Sequence, residues 1–145
     1  MTLPALMNEQ PTADHRPRFH RVLLVEDEEV LRKVIARNLT SRGIRVYEAG
    51  TAVDAVRAAI AEHPDLLLLD INLPDQTGWE VLRKLKRQGA DVPTIIVSAV
   101  RVSQSRLEEF HPLAYLPKPF PIDALLRLVV GERTPEPDDE PLDEE

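Results

Sequence analysis

The segment Leu66–Asp70, with the sequence LLLLD, decides the fold, because four leucines run without a break into a carboxylate. Short, continuous apolar runs are typical of parallel strands that are buried on both faces. Similar runs occupy residues 22–25, 94–97 and 114–116, and a polar or charged residue closely follows each of them. The pattern predicts parallel strands whose carboxyl ends carry chemistry at one edge of a sheet.

The segments between these runs have the apolar spacing of helices, and a further short strand is predicted at residues 45–49. Helices are predicted after Asp27, after Thr51, at residues 79–88, more weakly at 101–110, and at 122–130. The spacing predicts that the second helix buries Val53, Val56, Ala59 and Ile60. Strands and helices that alternate in this way predict an α/β fold, a doubly wound five-stranded parallel sheet with helices on both faces.

The composition excludes several classes of function. The chain has 145 residues, 43% of them hydrophobic, and it contains no cysteine. Disulfides, thiolate catalysis and cysteine zinc sites are therefore excluded. No apolar run approaches the roughly 18 residues of a membrane span, and the N-terminus lacks the pattern of a secretory signal. We expect a cytoplasmic protein without membrane insertion.

The net charge of −7 comes from one end of the chain. Residues 132–145 contain eight acidic residues and one arginine, whereas residues 1–131 contain 17 acidic and 17 basic residues. We therefore expect a flexible N-terminal extension at 1–20, a folded domain at 21–131 and a disordered acidic tail at 132–145. An acidic tail on a neutral domain argues against direct nucleic-acid binding.

Three carboxylates lie at predicted strand ends and suggest a metal site. Glu26 and Asp27 follow the first strand, and Asp70 ends the third. Carboxylates that converge repel one another unless a cation lies among them, and Mg²⁺ prefers such hard oxygen ligands. Aspartates are also common in turns, and acidic residues favour helix N-termini, so the carboxylates alone leave those roles open.

Three other side chains lie near the ends of the later strands. Lys118 stands between two prolines, which restrict the backbone and help to aim its ammonium group inward. Ser98 ends the fourth strand and offers a hydroxyl group, and Tyr115 lies in the fifth strand. Taken singly, an exposed loop lysine, an ordinary serine and a packed aromatic residue explain them equally well.

Taken together and in chain order, these strand-end residues resemble the site of the receiver domain of bacterial two-component response regulators. The residues are Glu26, Asp27, Asp70, Ser98, Tyr115 and Lys118. The surrounding segments VLLVEDEE at 22–29, DINLPD at 70–75 and KPF at 118–120 agree with that resemblance, which covers residues 20–131. It implies the flavodoxin-like strand order 2-1-3-4-5.

The resemblance implies a phosphoprotein switch. Asp70 would take a phosphoryl group from a histidine kinase and lose it slowly to water, without being a metabolic enzyme. The residues expected to hold Mg²⁺ are Glu26, Asp27, Asp70 and Asn72, the last through its backbone carbonyl.

The same resemblance assigns the remaining side chains. Lys118 would neutralise charge on the phosphoryl oxygens, while Ser98 and Tyr115 would act as switch residues. The expected partners are a histidine kinase or phosphotransfer protein and an unidentified downstream protein, and a homodimer is allowed. The output surface would be the fourth helix, the fifth strand and the fifth helix.

Two features qualify how the chain would signal. Ser98 and Lys118 are 20 residues apart, slightly closer than is usual in this family, so we expect a short or irregular fourth helix. Only residues 132–145 follow the domain, which is too few for an appended output domain. We therefore expect a stand-alone receiver that acts through protein contacts in a phosphorelay or chemotaxis-type pathway.

Two other functions remain open. One is an interaction module whose pocket binds Mg²⁺ but does not depend on phosphorylation, and the altered fourth helix supports it. The other is a phosphohydrolase with Asp70 as nucleophile, which would need a second aspartate two residues later. Asn72 occupies that position, so hydrolysis of external phosphate esters is not expected.

Overall fold

The computed structural model describes residues 18–131, in which five strands alternate with five helices. In chain order they are β1 (Arg21–Val25), α1 (Glu29–Thr40), β2 (Arg45–Ala49), α2 (Ala52–Glu62), β3 (Leu66–Asp70), α3 (Gly78–Arg87), β4 (Thr94–Ser98), α4 (Gln104–Phe110), β5 (Ala114–Pro117) and α5 (Ile122–Val130). The strands form one parallel sheet in the order β2-β1-β3-β4-β5. The predicted fold class and strand order are confirmed.

The leucine run forms the middle strand of the sheet. Every residue of β3 is buried, and β3 pairs with β1 on one side and with β4 on the other. The helices cover both faces: α1 and α5 pack against one apolar layer, and α2 and α3 against the other. Continuous apolar strands are needed here because neither face of the central strands contacts water.

The prediction for the buried face of α2 was wrong at two positions. Val53 and Ile60 are 47% and 40% exposed, whereas Ala52, Ala55 and Ala59 lie against the sheet. Alanines let the helix approach the sheet closely, and the branched side chains then lie towards solvent. The spacing of apolar residues therefore identified the helix and the positions of Val56 and Ala59, but it misplaced Val53 and Ile60.

The fourth helix is short, as predicted, but it begins later than expected. It starts at Gln104 rather than near Arg101, because the Ser103 side chain accepts a hydrogen bond from the Arg106 backbone and caps the first turn. None of its seven residues is fully buried. Helix α4 is consequently the most weakly anchored helix among those in residues 18–131.

The domain includes residues just before β1. The Arg18 backbone N–H donates to the Val130 carbonyl at 3.3 Å, and the His20 N–H donates to the Asp65 carboxylate. The expectations for residues 1–17 and 132–145 lie outside the described residues. No helix in the described part of the chain has the length and apolarity needed to cross a membrane.

Candidate functional site

The carboxyl ends of four neighbouring strands bring the predicted site residues to one edge of the sheet. Glu26 follows β1, Asp70 ends β3, Ser98 ends β4 and Lys118 follows β5. Glu26 and Asp70 become neighbours because Val25 and Leu69 pair in register. The order of the strands thus assembles groups that lie up to 92 residues apart in the chain.

Lys118 joins two buried carboxylates. Its Nζ donates to Glu26 Oε1 at 2.8 Å and to Asp70 Oδ2 at 3.0 Å. Glu26 is only 2% exposed and Asp70 only 4%. Buried carboxylates are costly unless they are paired, and the ammonium group supplies the pairing here.

Glu26 and Lys118 in this cluster have shifted pKa values. Burial raises the pKa of Glu26, although the hydrogen bond from Lys118 opposes the rise. Burial lowers the pKa of Lys118, but hydrogen bonds to Glu26 and Asp70 outweigh it, so the pKa of Lys118 is raised. Lys118 therefore stays charged, which suits a group that must neutralise an anion.

A third carboxylate, that of Asp27, lies beside these two at the protein surface. Glu26, Asp27 and Asp70 each place a carboxylate oxygen within 4.8 Å of the others, and Asp27 is exposed whereas the other two are buried. These are hard oxygen donors, and Mg²⁺ binds one or two such carboxylates together with water or phosphate oxygens, so the group fits this cation. Asn72 lies beside them, since its backbone N–H donates to Asp70 Oδ1 at 3.1 Å.

The loop after Asp70 returns closely to the strand end, a feature that the sequence reasoning missed. The Gly78 N–H donates to the Ile71 carbonyl at 2.7 Å. A Cβ atom at Gly78 would lie 2.8 Å from the Asp70 carbonyl oxygen and 3.0 Å from the Ile71 Cα. Only glycine fits this contact, and a glycine just before the helix predicted at residues 79–88 was the available signal.

Asp75 fixes the same loop to a neighbouring helix. Its carboxylate accepts hydrogen bonds from the backbone N–H groups of Ala52 and Val53, at 2.8 and 3.1 Å. The hydrogen bond from Ala52 is the main reason that the pKa of Asp75 is lowered. Asp75 therefore caps α2 from a distance, which local sequence patterns do not reveal.

Ser98 and Tyr115 share one backbone partner. The Ser98 hydroxyl donates to the Val100 carbonyl at 3.0 Å and accepts from the Val100 N–H at 3.1 Å, and the Tyr115 hydroxyl donates to the same carbonyl at 3.2 Å. Ser98 is fully buried, and its own carbonyl accepts from the Lys118 N–H. The two predicted switch residues thus meet at the segment that leads into α4.

Known proteins resemble this chain over most of its length. The family model described as "Response regulator receiver domain" matches residues 22–130. The "Response regulator MprA" of Mycobacterium leprae is 34% identical over 122 residues, which cover 82% of this chain and 54% of that protein.

Two solved receiver structures share the fold. The non-phosphorylated HemR receiver domain of Leptospira biflexa matches with a TM-score of 0.69 and 31% identity, covering 81% of this chain and 98% of that one. The Thermotoga maritima response regulator TrrA, in complex with Mg²⁺–BeF, matches with a TM-score of 0.66 and 27% identity, covering 75% and 95%.

The chain spans about half the length of the curated relatives that it matches. The activity of those longer proteins also depends on segments that this chain does not match. The expectation of a stand-alone receiver therefore stays a prediction.

Proposed function

This chain belongs to the family of response regulator receiver domains, and we propose that it accepts a phosphoryl group on Asp70. The observation that carries the proposal is the position of this carboxylate. Asp70 is buried, is 3.0 Å from the Lys118 ammonium group, and has two further carboxylates within reach of a shared cation. We assign the receiver unit to residues 21–131.

The chemical step is transfer from a phosphohistidine of a histidine kinase or phosphotransfer protein. An oxygen of Asp70 forms a bond to phosphorus while the bond from phosphorus to the histidine nitrogen breaks, and the electron pair stays on the imidazole. Lys118 lies where it can neutralise charge on the phosphoryl oxygens. Slow attack by water on the resulting acyl phosphate returns the aspartate, so the protein is a switch and not a metabolic enzyme.

The residues that would hold Mg²⁺ are Glu26, Asp27, Asp70 and the backbone of Asn72. Their oxygen atoms fit a hard divalent cation, and the relative TrrA was solved with Mg²⁺–BeF. When bound, the cation would supply positive charge to the phosphoryl oxygens. Lys118, which directly follows β5, would supply the second positive charge.

The output follows from the contacts of Ser98 and Tyr115. If the Ser98 hydroxyl bonds a phosphoryl oxygen, its hydrogen bonds to Val100 break, and the segment before α4 is released. Tyr115 loses the same anchor. We propose that the altered surface of α4, β5 and α5 then binds a downstream protein or a second copy of the chain in the cytoplasm.

The proposal is tested by intact mass after incubation with acetyl phosphate and Mg²⁺. We expect one phosphoryl adduct on the wild type and on the control Asp91→Asn, whose carboxylate is exposed and distant from the site. We expect none on Asp70→Asn, and none on the wild type with EDTA.

Two results would reject the proposal. An adduct that persists in Asp70→Asn would place the acceptor elsewhere. No adduct on folded wild-type protein would favour the second candidate, a module that binds partners independently of phosphorylation. The short helix α4 without a fully buried side chain is the observation on which that candidate depends.

A further inference from the structure

A compact aromatic contact joins α4 to α3. The rings of Trp79 in α3 and Phe110 in α4 are stacked, with centroids 5.2 Å apart and an angle of 18° between their planes. Because α4 has no fully buried residue, this stack is a large part of what holds it to the domain.

Two arginines and a glutamate extend the contact. The Arg83 guanidinium lies 5.5 Å from the Phe110 ring centroid, and that of Arg106 lies 5.4 Å from the Trp79 ring centroid. Each arginine also approaches a carboxylate oxygen of Glu109, at 3.5 and 3.4 Å. Each helix thus places a cation on an aromatic ring of the other, and these five residues are called the latch below.

The latch connects directly to the acceptor site. Trp79 follows Gly78, whose Cα lies so close to the Asp70 carbonyl that a Cβ would clash with it. The other end of α4 begins a few residues after Val100, the shared partner of Ser98 and Tyr115. Helix α4 is therefore held to α3 by the latch, and the segment that leads into it is held by the switch residues.

We propose that the latch holds α4 in the unphosphorylated arrangement and opens when Ser98 leaves Val100. The strength of the latch then sets how readily Asp70 accepts a phosphoryl group. This inference rests on the proposed function. A contact made only in the resting state lowers the population that is competent to bind, and its removal raises the apparent affinity for a phosphoryl group.

The first experiment measures calorimetric binding of beryllofluoride, a phosphoryl mimic, in the presence of Mg²⁺. We expect Phe110→Ala to lower the apparent dissociation constant about threefold to tenfold, the factor that corresponds to loss of an aromatic pair. Leu113→Ala is the matched control, because Leu113 is 56% exposed and lies outside the latch. It should bind as the wild type does.

A second variant and a second signal keep the test independent of folding. Arg106→Gln removes one cation from the latch but keeps the stack, and it should tighten binding in the same direction by a smaller factor. Trp79 is the only tryptophan, so its fluorescence reports on the latch directly. Beryllofluoride should make Trp79 in the wild type more accessible to acrylamide quenching.

The outcomes separate the two proposals. Unchanged or weaker binding in Phe110→Ala, with binding intact in the wild type, overturns the latch alone, as does quenching that beryllofluoride does not alter. Wild-type protein that does not bind beryllofluoride, or Asp70→Asn that binds it equally well, overturns the proposed function and the latch with it.

Discussion

The central strands and the α4–β5 region of this domain differ sharply in how they are held. Every residue of β3 and β4 is buried, and these strands carry Asp70 and Ser98 at their ends. In β5 three residues are half-buried and one is exposed, and α4 has no fully buried side chain. The comparison teaches that the Asp70 carboxylate is held by fully buried strands, while the contacts that would change lie in the region with the fewest buried side chains.

The largest expected effect on stability comes from the buried central strands. Leu68→Ala removes a fully buried side chain from the central strand, and we expect it to lower the free energy of unfolding by about 3 kcal/mol. Leu113→Ala, at an exposed position just before β5, should change it by less than about 0.5 kcal/mol. Chemical denaturation of both variants measures the difference. Equal losses of unfolding free energy in the two variants would contradict the difference between the two regions.

The next effect tests the charged cluster of Glu26, Asp70 and Lys118 at the edge of the sheet. Lys118→Met leaves Glu26 and Asp70 without their shared cation, and we expect a loss of about 2 kcal/mol in the free energy of unfolding, reduced from that of a fully buried pair because Lys118 is partly exposed. Phosphoryl transfer from acetyl phosphate should slow at least about a hundredfold.

The control for Lys118→Met is Lys84→Met, which removes a lysine whose ammonium group donates to the Gln76 side-chain oxygen. It should retain the transfer rate. If Lys118→Met reacts as fast as this control, Lys118 does not act on the phosphoryl group.

A smaller effect comes from the loop that closes on Asp70. Gly78→Ala places a Cβ 2.8 Å from the Asp70 carbonyl, and the resulting strain exceeds the gain in helix propensity, for a net loss of about 1 kcal/mol. Gly50→Ala is the control, since its Cβ would lie 3.2 Å from the Arg32 guanidinium, a side-chain group, and no closer than 3.9 Å to any backbone atom. Thermal denaturation that ranks Gly50→Ala as the less stable variant would contradict this account of the loop.

The smallest effect is a pH dependence. Because folding lowers the pKa of Asp75 below 3.8, its carboxylate contributes stability above that pH, and the contribution disappears as the pH falls through the lowered pKa. Asp75→Asn should therefore be slightly less stable than the wild type at neutral pH and equally stable at the acid limit. Unfolding curves across this range that keep a constant difference would exclude the carboxylate as the cause.

The sequence predicted the sheet because its strands carry unmistakable patterns. Four consecutive leucines at 66–69 require burial on both faces, and a central parallel strand provides it. Val53 and Ile60 of α2 were mispredicted as buried because Ala52 and Ala55 contact the sheet instead. Helix packing distance decides between such faces, and it depends on the whole layer rather than on the local sequence.

The site was predictable in its composition but not in all its contacts. Residues at strand ends could be assigned to the same edge of the sheet from topology alone, as Glu26, Asp70 and Lys118 were. The partnership of Ser98 and Tyr115 at Val100 could not, because a backbone group carries no sequence signal. Nor could the stack of Trp79 on Phe110, since residues of distant helices meet only after folding.

The central claim is that Asp70 itself carries the phosphoryl group. The most direct measurement is borohydride reduction of protein treated with acetyl phosphate and Mg²⁺, followed by mass analysis of the peptides that contain residues 26–27 and 66–70. The account predicts that Asp70 alone is converted into homoserine, because borohydride reduces an acyl phosphate but not a free carboxylate. Reduction at Asp27 or Glu26, or an unreduced peptide from phosphorylated protein, would contradict it.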